Sequence, residues 1–150
     1  MKKSLLFFIL LISAITSAQI PNRDDNIIML ITEKKPEDDF TQFGRYLIEK
    51  GYSFDITDKE FMMLKTSPKV SLNNRGKQSA VHHRFTITFN DSIIKIKPEI
   101  EILSFSGDMT WIEWQHRTSK SDFNYMNWYN NFKAIFEEYE GKTKLVYTHE

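Results

Sequence analysis

Hydrophobic positions follow two rhythms along this chain. Val81, His83, Phe85, Ile87 and Phe89 alternate with His82, Arg84, Thr86 and Thr88, and Ile94, Ile96, Ile100 and Ile102 alternate with Lys95, Lys97, Glu99 and Glu101. A period of two on both sides of Asn90-Asp91-Ser92 predicts an antiparallel hairpin with one dry and one wet face. Pro98 has no amide hydrogen to give to a ladder, so it is expected at an edge or a bulge. The second rhythm is helical. With Tyr125 at zero and 100° per residue, Trp128, Tyr129, Phe132, Ile135, Phe136 and Tyr139 fall within an arc of about 120°, the width of a core-facing stripe. This predicts a long helix opened by Ser121 or Asp122 as N-cap and closed by Gly141.

The remaining segments fit around these. Ile27–Thr32 is a short apolar run that reads as a buried strand. Pro36 with Glu37, Asp38 and Asp39 suits the start of a helix, and Phe40, Phe43, Gly44 and Leu47 recur at helical spacing up to Gly51. Tyr52, Phe54 and Ile56 alternate with polar residues as a strand with one buried face. Phe61–Thr66 is a further strand after a turn at Asp58-Lys59. Ser67–Ser79, with Pro68 and Asn73-Asn74-Arg75-Gly76, reads as a loop. Asp108–Lys120 is irregular or a short strand, and Lys144–Thr148 suits a last strand. The order is β-α-β-β-β-β-α with a candidate final β. It predicts an α+β fold in which a mostly antiparallel sheet of about five strands carries two helices on one face.

The ends and totals change the picture in three ways. The opening MKKSLLFFILLISAITSAQ has a basic start, an apolar run too short for a comfortable membrane span of about 20 residues, and a small-residue end before Gln19. That is the layout of a secretory signal over residues 1–18. A polar lead-in would then cover 19–26 and a single domain 27–150, in the periplasm or outside the cell with no membrane anchor after cleavage. There is no cysteine, so stability is expected from a core rather than from disulfides, and a lipid anchor on cysteine is excluded. Without Lys2 and Lys3 the chain carries 18 basic and 20 acidic residues, a balance unlike that of a general nucleic-acid binder.

Gly51-Tyr52 leading into a strand, the Asp58-Lys59 turn and the hairpin around Asn90-Asp91 resemble small exported α/β envelope domains of Bacteroidota-type bacteria, as does the S-A-Q end of the signal. The resemblance covers Gly51–Ile102 and implies a helix-on-sheet fold. No site residues come from it.

Candidate chemistry is sparse. Trp111 and Trp114 lie on no long periodic element, so they either plug one end of the core or stack on a ligand, with Glu113, Gln115 and His116 as polar neighbours. Three residues apart, they share a face on a helix and take opposite faces on a strand. Basic residues Lys65, Lys69, Arg75, Lys77, Arg84, Lys95 and Lys97 have only Asp91 among them, a segregation that suits an anionic envelope glycan or lipid. The plain alternative is a solvated face. The ligand-binding candidates are therefore Trp111, Trp114, Gln115, Lys69, Arg75 and Lys77. Asp108, Glu113 and His116 form the one tight acid–base cluster, the basis of an alternative reading as an envelope glycan hydrolase. The histidines lack metal-ligand spacing and no phosphate loop exists, so no metal or cofactor is expected. Asp91-Ser92-Ile93 resembles a Bacteroidota O-glycan acceptor, which makes Ser92 a modification candidate. The expected function is a non-catalytic exported binding or interaction domain.

Overall fold

A computed structural model describes residues 21–72, 78–103, 107–116 and 123–150 of this chain. The expected signal, Arg75, Lys77 and the expected helix cap at Ser121 or Asp122 lie outside the described residues. In chain order the elements are β1 (Ile27–Ile31), α1 (Pro36–Glu49), β2 (Phe54–Asp58), β3 (Met63–Thr66), β4 (Lys69–Leu72), β5 (Gln78–Asn90), β6 (Ile93–Leu103), β7 (Met109–Glu113), α2 (Phe123–Glu137) and β8 (Lys144–Thr148). The fold is α+β, with an antiparallel sheet and two helices among the described residues. The sheet has eight strands rather than about five.

The extra strands arise because β5 and β6 are long enough to take two partners on one side. β5 pairs with β3 near Ile87 and with β4 near His83. β6 pairs with β1 near Ile96 and with β7 near Ile100. The hydrogen-bonded order is β2-β3-β5-β6-β1-β8, with β4 continuing the column of β3 and β7 that of β1. The stretch read as a loop thus contains β4. Its alternating Lys69-Val70-Ser71-Leu72 is too short to give a periodic signal and becomes a strand by pairing with β5. The break before it leaves the Phe85 amide facing the gap, and this amide donates instead to the Thr66 hydroxyl at 2.9 Å.

The β5–β6 hairpin forms in the expected place, closed by Asn90 opposite Ile93, with Asp91 in the left-handed region at φ 48°. Pro98 sits neither at a sheet edge nor at a bulge but in a central strand. Its carbonyl accepts from the Trp114 amide at 3.0 Å. N–H and C=O of one strand residue point the same way, so the missing donor faces the junction between β1 and β7, where the ladder is already interrupted. β2 departs from its expected pattern. A register shift between Phe54 and Ile56 turns Ile56 outward, so it is exposed rather than buried. Phe61, expected in a strand, stands exposed in the turn before β3.

α1 ends as its sequence predicts. Gly51 at φ 80° follows the last turn, its amide donates to the Ile48 carbonyl and the Tyr52 amide to the Leu47 carbonyl, both at 2.9 Å. Both helices meet β5 on its dry face. Phe40 of α1 packs edge-on against Phe89 at 5.3 Å, while Phe132 and Phe136 of α2 pack against Phe85 at 5.3 and 5.1 Å. Phe43 ties the helices together through Phe136 and Tyr139. Trp128, Phe132, Phe136 and Tyr139, four members of the helical stripe, are all buried core.

The lead-in is bound rather than loose where it is described. The Asp24 amide donates to the His116 carbonyl at 2.8 Å, and the His116 amide donates to the Asp25 carbonyl at 2.7 Å, stitching the end of β7 to the start of β1. No helix among the described residues is long and apolar enough to cross a membrane.

Candidate functional site

Alternation along β5, β6 and β7 sends every second side chain away from the helices. Because partners in register share a face, Arg84, Glu99 and Glu113 form one row across this polar face and Glu101 and Trp111 another. Thr86 with Lys97 and Thr88 with Lys95 continue the pattern toward the hairpin turn.

Arg84 organises the centre. Its Nε donates to Glu99 Oε2 at 2.9 Å and its Nη2 to Glu99 Oε1 at 3.0 Å, a two-point fork that fixes the guanidinium plane. The same guanidinium lies 4.1 Å from the centre of the Trp111 ring, within cation–π range. Lys65 Nζ approaches Glu99 at 3.7 Å from β3. Partial burial alone would raise the Glu99 pKa, but the hydrogen bond and charge of Arg84, aided by Lys65, outweigh it and hold the carboxyl below its ordinary value. Beside this cluster His82 Nδ1 meets Glu101 Oε2 at 2.5 Å, and Asn26 Nδ2 donates to Glu113 Oε2 at 3.3 Å. At the hairpin end Lys95 and Lys97 both bind Glu150, whose carboxyl is held at about 2 by those hydrogen bonds. A shallow cleft of about 300 Å³ lies there between Thr86, Thr88 and these three charges.

The structure separates the residues that the sequence grouped. Trp111 is partly buried on the polar face. Trp114 is wholly buried on the other, edge-on to Phe132 at 5.6 Å, and belongs to the core. The two take opposite faces because the segment is a strand. Gln115 follows it at the β1–β7 junction. Lys69 is not a free cation on a basic loop: its ammonium lies 4.1 Å over the Tyr52 ring and donates to the Lys50 carbonyl at 2.5 Å, and burial lowers its pKa. The basic segregation seen along the chain is offset in part among the described residues, because Lys65 and Arg84 share Glu99 while Lys95 and Lys97 share Glu150.

Asp108, Glu113 and His116 are not brought together. Asp108 precedes β7 and Glu113 ends it, about 16 Å apart along an extended strand. His116 is buried beyond the far end, beside Trp114, and burial lowers its pKa against the opposing pull of Asp25. Ser92 is partly buried at the hairpin turn, its hydroxyl 3.4 Å from the Lys34 carbonyl. Among the described residues no group of three or more His, Cys, Asp or Glu side chains is placed to hold a metal ion.

Sequence reading missed the Arg84–Glu99–Trp111 cluster. Half of it was within reach, since a hairpin turning at Asp91-Ser92 necessarily sets Arg84 opposite Glu99 and His82 opposite Glu101. Trp111 joins only through the pairing of β7 with β6. Comparison of the chain with protein-family models, with curated proteins and with solved structures returns no match.

Proposed function

We propose that this protein is an exported, non-catalytic binding domain that offers the polar face of its sheet to a saccharide of the cell envelope. The observation that carries the reading is Trp111, a large aromatic kept on the polar face and oriented by a guanidinium that Glu99 holds in turn. An indole fixed in this way is a stacking surface with little conformational entropy to lose, and Glu101 and Glu113 on the same face suit sugar hydroxyls. The near balance of charge on this face favours neutral or mixed-charge glycans over uniform polyanions. Export rests on the layout of the first eighteen residues, and N-terminal sequencing of the protein from its host is expected to begin at Gln19.

Tryptophan emission tests the reading directly. Trp114 and Trp128 are buried, so an acrylamide-quenchable fraction is expected from Trp111 alone and should vanish in Trp111→Phe. Trp111→Ala should abolish retention on envelope polysaccharide while shifting the melting temperature by no more than about 4 °C, the scale of a 1 kcal/mol change. Retention unchanged in Trp111→Ala, or a domain that unfolds when Trp111 is removed, overturns the proposal.

A further inference from the structure

The sheet face turned away from the helices is less polar than its charges suggest. On the strands, the large apolar side chains left exposed among the described residues are Ile56, Val70, Ile93 and Met109, at 37–45 %. Their register places all four on this face. Met29, Met63 and Trp111 share it, partly buried. A sheet whose helices cover one side only leaves these residues without a cover.

The rows of this face repeat in reverse about Pro98. Lys97 and Glu99 stand one residue to either side of it on β6, and Lys95 and Glu101 three residues to either side. The Lys95 row runs from Met63 on β3 through Thr88 and Lys95 to Met29 on β1. The Glu101 row runs from Val70 on β4 through His82 and Glu101 to Trp111 on β7. Reversing the strand direction therefore sets Met63 level with Val70, Lys95 with Glu101 and Met29 with Trp111. Farther out, Ile31 and Met109 exchange places in the same way, level with residues 93 and 103 of β6.

This operation is a twofold axis lying in the plane of the face and running across the strands. It is the symmetry of an isologous dimer, and it brings two sheets together with their strands aligned, as in a sandwich. The alternative in-plane axis, along the strands, would stack basic rows on basic rows. Four strand widths by the length of β6 make roughly 600 Å² of flat face, close to the ~800 Å² per partner of a standard interface once side-chain relief is added.

We propose that two copies of this protein close face to face about this axis, with Lys95 against Glu101 of the second copy and Trp111 against its Met29. Within one copy Glu150 already engages Lys95 and Lys97, and Arg84 engages Glu99. Charge across the interface therefore sets register more than affinity, and a dissociation constant of about 10–100 µM is expected. Resting on the saccharide reading of Trp111, the same contact regulates that site, because the dimer covers the ring and the ligand must part the copies.

Sedimentation equilibrium of the protein, as its host processes it, should show monomer near ~1 µM and dimer near ~500 µM. Over that range the acrylamide-quenchable share of Trp111 emission should fall. Lys95→Glu and Glu101→Lys should each raise the dissociation constant at least about tenfold, since each sets like charges together twice per dimer. An equimolar mixture of the two variants restores opposite charges at both places and should dimerise to within about threefold of the unaltered protein. A monomer at every concentration, or folded variants whose mixture stays monomeric, overturns the proposal. Oligosaccharide fragments of the host's envelope polysaccharide should return the dimer to monomer. Fragments that bind while the dimer persists overturn the regulation. Fragments that do not bind remove the saccharide reading, and the regulation with it, while the dimer stands.

Discussion

His83 is the residue whose chemistry burial alters most usefully. It lies on the dry face of β5 with Nε2 2.8 Å from the Tyr52 hydroxyl, ringed by Phe85, Trp128 and Phe132. Burial, with smaller contributions from Lys69 and His82, lowers its pKa from 6.5 to about 4. The native state therefore keeps the ring neutral while the unfolded chain takes up a proton near pH 6.5. Its contribution is complete above that pH and is lost as pH falls toward 4. Between pH 7 and pH 5 the protein should lose about 2 kcal/mol that His83→Gln does not, read from urea unfolding at the two pH values. Parallel pH profiles for the two proteins would remove His83 as the cause. Nothing in the sequence marked this residue as special: alternation placed it on the dry face, but the neighbours that desolvate it come from α2 and from the segment before β2.

The strand is the scale at which the polar face is built. Arg84 and Glu99 are only about one-fifth exposed, so they are shielded enough for the pair to matter and open enough that the loss is moderate. Arg84→Ala should cost about 1–2 kcal/mol, because Glu99 keeps only the more distant Lys65, and it should raise the quenchability of Trp111 as the ring loses its cation. A stable variant with unaltered quenching would show the cluster to be ornamental. This is also the scale at which legibility divides. α1, α2 and the β5–β6 hairpin were readable because each repeats its pattern over several turns or pairs. β4 was not, lying in a stretch rich in turn residues and becoming a strand only through β5, and β7 was left between an irregular segment and a short strand. The same limit governed the sites. Trp111 and Trp114 parted company once β7 paired with β6, and four of the basic residues between 65 and 97 found carboxylate partners in Glu99 and Glu150, just past that stretch and at the far end of the chain. Ile56 was misplaced for a related reason, since a register shift obeys tertiary fit and leaves no trace in alternation.

Across the whole molecule, the first strand is enclosed by the last. β1 lies between β6 and β8, with Ile28 facing Ile96 on one side and Tyr147 on the other. Removal of residues 142–150 should expose the unpaired edge of Ile27–Ile31, so the shortened protein is expected to self-associate in light scattering at concentrations where the intact one is monodisperse. A shortened protein of unchanged mass and melting temperature would show that β8 is dispensable. The enclosure also sets a timetable. A chain that emerges N-terminus first presents Ile27–Ile31 before either neighbouring strand exists, then gains one flank with β6 and the second only with β8. Until β8 is in place one edge of that apolar strand stands open to other strands.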